Sequence, residues 1–186
     1  MSGFMGGGGH VIGSVEADND ASLIITGLDS AYDTFLIELA DMMPSADAVH
    51  AWMRLGDAGG IDSGVADYGW GNNYQRVDSA SPLQGNAQSY EDSSDSKMVI
   101  SNGGHGVGST AGEGFGASLK LHRPGDGSIA PIITGTYGFM TDLAIFTTGV
   151  LGGRRSSVIA LDRIQFLFSS GSILSGRMTV TGVPHA

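Results

Sequence analysis

Apolar and polar residues alternate along this chain in many short runs. Residues 11–15 and 22–26 are two such runs, joined by a polar turn at 17–20. Within 32–40, Phe35, Ile37 and Leu39 fall on one face and Thr34 and Glu38 on the other, and 44–47, beginning at Pro44, interrupts the pattern. Within 48–55, Val49, Ala51, Met53 and Leu55 point one way, and His50, Trp52 and Arg54 the other. A period of two predicts strands with one buried face. The same signal returns at 97–100, 115–123, 130–137, 143–148, 158–168 and 177–183. Between 56 and 95 it weakens. There a glycine- and aspartate-rich run leads into Tyr68, Trp70 and Tyr74 and then a long polar segment, which reads as loop. The count comes to about nine to eleven strands with no amphipathic helix.

So many short strands between turn signals predict an all-β chain, a two-sheet antiparallel β-sandwich of jelly-roll-like form, with a closed barrel as the next choice. No internal repeat suggests a solenoid or propeller. Residues 1–10 read as a flexible glycine-rich N-terminal arm carrying two apolar anchors, Phe4 and Met5, and residues 11–186 as a single sandwich domain. The 31 glycines among 186 residues follow no collagen-like period and fit a chain of many turns.

Composition then narrows the chemistry. With 41% apolar residues the chain can build a core without covalent staples. It has no cysteine, so disulfides, thiolate metal sites and cysteine nucleophiles are excluded. Nineteen acidic against nine basic residues give a formal charge of −10, the wrong sign for a nucleic-acid or anionic-membrane partner. No stretch is apolar enough to span a bilayer and the first residues lack the pattern of a secretory signal, so the expectation is a soluble chain made in the cytoplasm.

Candidate catalytic features are sparse. The stretch 103–116 contains a loose glycine-loop pattern, but a phosphate loop needs a helix to follow it, and Leu119 and Leu121 alternating with Lys120 and His122 predict a strand. His10, His50, His105, His122 and His185 form no pair at metal-ligand spacing on one element, and His50 and His122 occupy outward strand positions. The sequence 108–112 has threonine where a nucleophile elbow has serine. Asp62, Asp67, Glu91 and Asp92 lie near the aromatic stretch, where a glycosidase pair is conceivable, but such acids serve more often as turn formers. Asp92 and Asp95 do not complete a calcium loop. The expectation is a non-enzyme with no catalytic residues, cofactor or metal. Three readings stand for Tyr68, Trp70 and Tyr74: a glycan-stacking surface, a protein interface, or local core beneath a loop.

Residues 27–39, 44–56 and 64–68, together with the closing stretch 161–182 and its "G-x-[IML]-x-[LV]-x-G" phrase, resemble structural proteins of tailed bacteriophages. The likeness runs over most of 22–183 and rests on packing and turn motifs. It implies a β-sandwich of the virion surface, made in the host cytoplasm: a homotrimeric capsid decoration protein or a head or tail fibre component, with the major capsid protein among its partners. The alternative it leaves open is a lectin-like tail fibre tip that binds a cell-surface glycan. Residues taken as interface candidates are Phe4 and Met5 in the arm, Trp52 as an outward aromatic, and Arg154 and Arg155 as polar contacts.

Overall fold

The computed structural model describes residues 9–77, 88–101, 105–122 and 127–184. Phe4 and Met5, and with them the expected docking arm, lie outside the described residues, as does His185. Thirteen strands are present in what is described: β1 (His10–Glu16), β2 (Leu23–Thr26), β3 (Tyr32–Pro44), β4 (Ala51–Asp57), β5 (Gly60–Ile61), β6 (Tyr68–Val77), β7 (Gln88–Asp95), β8 (Met98–Val99), β9 (Gly114–His122), β10 (Ile132–Met140), β11 (Phe146–Arg155), β12 (Arg163–Phe168) and β13 (Ile173–Pro184).

They form two antiparallel sheets, one of eight strands in the order β1-β13-β3-β9-β10-β11-β6-β7 and one in the order β2-β12-β4-β5, with β8 also paired to β4. The chain alternates between sheets in its first four strands. Leaving aside β5–β7 and β10–β11, the two halves are β1-β13-β3-β9 facing β2-β12-β4-β8, the jelly-roll arrangement. The set-aside strands widen the first sheet well beyond the second.

The alternation read from the sequence accounts for the core. Phe35, Ile37 and Leu39 of β3, Phe115, Leu119 and Leu121 of β9, and Ile133, Tyr137 and Phe139 of β10 all point inward and are buried. They meet Ala51, Met53 and Leu55 of β4 and Ile164, Phe166 and Phe168 of β12. Phe166 of the second sheet stacks on Phe115 of the first at a centroid distance of 6.2 Å, and Phe168 meets Phe166 edge-on at 5.2 Å. This seam ties the sheets together with the offset and edge geometries that aromatic pairs favour.

Two parts of the chain differ from the sequence expectation. Strand β3 runs on to Pro44 because it bulges: pairing with β9 slips between Leu39 and Met42, Asp41 takes a φ of 54°, and Gly176 opposite takes 120°. And the segment read as a long loop contains β6 and the edge strand β7. Large residues at 68, 70, 72 and 74 face inward along β6, but intervening glycines mask the alternation, and β7 is exposed on both faces and has no apolar face to reveal it.

The glycine stretch behaves as a loop leading into a strand. Val107 is buried and bridges Val49 and Thr141, and β9 follows. The Ser109 and Thr110 amides donate to the carboxylates of Asp47 (3.0 Å) and Glu113 (2.7 Å). Acids of the chain itself thus take N–H groups that a phosphate would need.

Candidate functional site

The residues singled out from the sequence separate into three environments. Tyr68 and Tyr74 are core. Tyr68 is fully buried, its hydroxyl donating to the carbonyls of Leu55 and Asp62 (both 2.9 Å) and accepting from the Leu55 amide (2.8 Å). Burial pushes its pKa up to about 12. Tyr74 is 2% exposed and its hydroxyl donates to Gln88. Of the three readings of the aromatic stretch, local core fits these two, and neither can offer its ring to a sugar or a partner.

Arg155 also departs from expectation. It points inward at the end of β11 and is 9% exposed. Its guanidinium pairs with Asp62 (3.0 Å) and Asp67 (3.1 Å), donates to the Asp67 carbonyl (3.2 Å) and Ser157 (3.0 Å), and lies 5.8 Å from the Tyr68 ring centroid. A planar fork meeting two carboxylates and a ring is what arginine does best. The group fastens the 62–67 loop to the sandwich and is not an interface contact. Asp62 and Asp67 are thereby both engaged by the one cation that anchors their own loop.

Trp52 and Trp70 are half-buried and joined through a shared ion pair. The Lys97 ammonium stands 5.0 Å over the Trp52 ring and 2.6 Å from Asp95, whose other oxygen accepts from the Trp70 indole at 3.1 Å. Burial, the largest influence on Asp95, raises its pKa, but Lys97, Trp70 and the Ser96 amide together outweigh it and hold the carboxyl below its ordinary value. Trp52 sits on β4 of the second sheet and Arg154 on β11 of the first.

Trp70 and Arg154 do come together. With Gly69, Glu91, Asp92, Ser93, Ile132, Gly152 and Gly153 they line a broad depression of about 830 Å³. Register explains it: Arg154 is paired to Gly69, Gly152 to Gly71 and Gly71 to Glu91. Neighbouring strands therefore place glycines side by side where side chains would otherwise stand. A Cβ on Gly152 would come no nearer than 4.0 Å to other atoms, and one on Gly71 no nearer than 3.7 Å, so the floor is open rather than packed. Arg154 is exposed, and it forms no ion pair among the described residues although Glu91 and Asp92 line the same depression. The sequence signal for this floor was present in Gly69 and Gly71 of β6 and Gly152 of β11, but only pairing shows that they meet.

The outward face of the eight-stranded sheet differs in character across its width. Over β1, β13, β3, β9 and β10 it carries Ser14, Thr179, Thr181, Ser118, Thr134 and Thr136, with exposed Val11, Leu36 and Ile132. Its charges are Glu16 paired to Arg177, Glu38 bonded to Ser118, Lys120, and Asp41, exposed at the β3 bulge in a groove shared with Glu16 and Arg177. Three carboxylates stand against two cations here, so the face carries a net charge of −1 and nearly all of the −10 falls elsewhere on the chain. His122 on the same face contacts Thr134 at 3.0 Å, and burial, then Lys120, lowers its pKa and favours the neutral ring.

Among the described residues no group of three or more His, Asp or Glu side chains is placed to hold a metal ion. No family model matches this chain, and no curated protein is significantly similar to it.

Proposed function

We propose that this is a non-enzymatic structural protein of a bacteriophage particle surface, a homotrimeric decoration or fibre component that associates through the outward face over β1, β13, β3, β9 and β10. The observation that carries the association is the low net charge of that face, −1, on a chain of charge −10. Two strongly acidic bodies repel, and the cost is least where the approaching surfaces carry little net charge. Five strands about 4.8 Å apart and some nine residues long present on the order of 600 Å² before side-chain relief. That approaches the roughly 800 Å² a partner contributes to a stable interface. Short serine and threonine side chains lose little rotamer entropy when covered, and Leu36 and Val11 supply apolar contact. The placement on a phage particle rests on the likeness of residues 22–183 to virion proteins.

Light scattering at several concentrations tests the assembly against the 19.1 kDa chain mass. A mass of three chains is expected, falling to one in the Leu36→Glu/Thr136→Glu variant, which sets new charge in the middle of the face. A strict monomer in the parent protein would remove the homotrimer. Mass spectrometry of gradient-purified particles tests the setting: the chain should be present in many copies, and its absence would end the virion reading.

A further inference from the structure

The depression at Arg154 lies over β11, β6 and β7 and meets the face assigned to self-association at Ile132 of β10. We propose that it binds a neutral, hydroxyl-rich carbohydrate ring, with the glycine floor at Gly152 and Gly71 beneath the sugar, Arg154 on one side and Glu91 with Asp92 on the other. This does not depend on the assembly or the particle proposed above.

Four observations converge on this ligand. The floor is polypeptide backbone without side chains, in a place where a Cβ would fit, so the space is for something other than the protein's own packing. A cation and carboxylates border it without an ion pair between them among the described residues. Arg154 and Glu91 stand on strands either side of β6, on the order of 10 Å apart at the backbone, so both side chains can reach one ring. Ile132, paired beside Arg154 and exposed on the same face, adds apolar surface for the C–H face of a sugar.

Charge decides the class. A hydroxyl both donates and accepts, so an array of hydroxyls satisfies the five-donor guanidinium and the acceptor-only carboxylates together. An anionic sugar would meet two carboxylates against one arginine in the field of a −10 chain, and a donor-only cation would leave the guanidinium of Arg154 without an acceptor.

The test is titration calorimetry with a panel of neutral hexose and N-acetylhexosamine oligosaccharides, alongside uronate- and sialate-containing counterparts. At least one neutral oligosaccharide should bind and the charged counterparts should bind more weakly. Gly152→Val should abolish binding by filling the floor. Arg154→Ala, whose side chain is exposed, should weaken it about tenfold, the loss of one charge-assisted hydrogen bond. Unchanged melting temperature in Arg154→Ala separates lost contact from lost fold, even if Gly152→Val were unstable. No binding to any sugar, preference for the anionic panel, or affinity unaltered by Arg154→Ala would each overturn the assignment.

Discussion

At the scale of single residues, the neighbouring pair Arg154 and Arg155 have opposite fates because a strand turns successive side chains to opposite faces. Arg155 faces inward and holds Asp62 and Asp67, with 11% of its side chain exposed. Replacing it with alanine leaves two half-shielded carboxylates without their cation. The expected cost, discounted because both acids keep some contact with water, is about 2–3 kcal/mol in urea denaturation, against less than about 0.5 kcal/mol for Arg154→Ala. The sequence offers the two arginines as equals; which is pinned depends on strand parity at the end of β11, a residue-level fact no local pattern states. Asp95 provides a second test. Its pKa is lowered in the folded chain, so its contribution is complete above its ordinary value near 3.8 and is lost as pH falls through the lower folded value. Acidification below about pH 4 should therefore release Lys97 and the Trp70 indole together, seen as a fluorescence shift accompanying a fall in melting temperature. Asp95→Asn should flatten that pH dependence.

At the scale of elements, legibility followed burial. The strands of the two facing halves were readable because one face of each is apolar: Phe35, Ile37 and Leu39, or Val49, Ala51, Met53 and Leu55, announce themselves at a period of two. Strand β7 was unreadable because it lies at an edge with all but its last residue exposed on either face, and nothing in its composition selects extended backbone. The bulge of β3 was unreadable for another reason: it is a property of a pair. Asp41 and Gly176 lie far apart in sequence and adopt left-handed backbone opposite one another. A Cβ at Gly176 would lie 2.8 Å from the Asp41 carbonyl oxygen and the Met42 Cα, so the backbone would have to shift. Gly176→Ala should cost about 2–3 kcal/mol through that clash and the positive φ, whereas Asp41→Gly, which relieves a left-handed non-glycine residue, should be near neutral. Thermal melts of the two variants give the comparison, and equal losses would mean that the bulge tolerates a methyl group.

At the scale of the molecule, the all-β sandwich follows from the sum of these alternating runs, while the candidate binding surface does not. It is assembled from glycines on β6 and β11 and acids on β7, which become one place only after the hairpins close. The same dependence on distant pairing governs how the chain comes into being. Strand β13 lies between β1 and β3, joined to both along most of its length, so the first two long strands of the eight-stranded sheet have no common neighbour until the last one is made. At about 5–20 residues per second, a ribosome needs on the order of ten to thirty seconds to travel from β3 to β13. For that interval Phe35, Ile37 and Leu39 wait on an unfinished sheet, and the nascent protein is exposed to chaperones and to its own siblings on the same messenger before it can close.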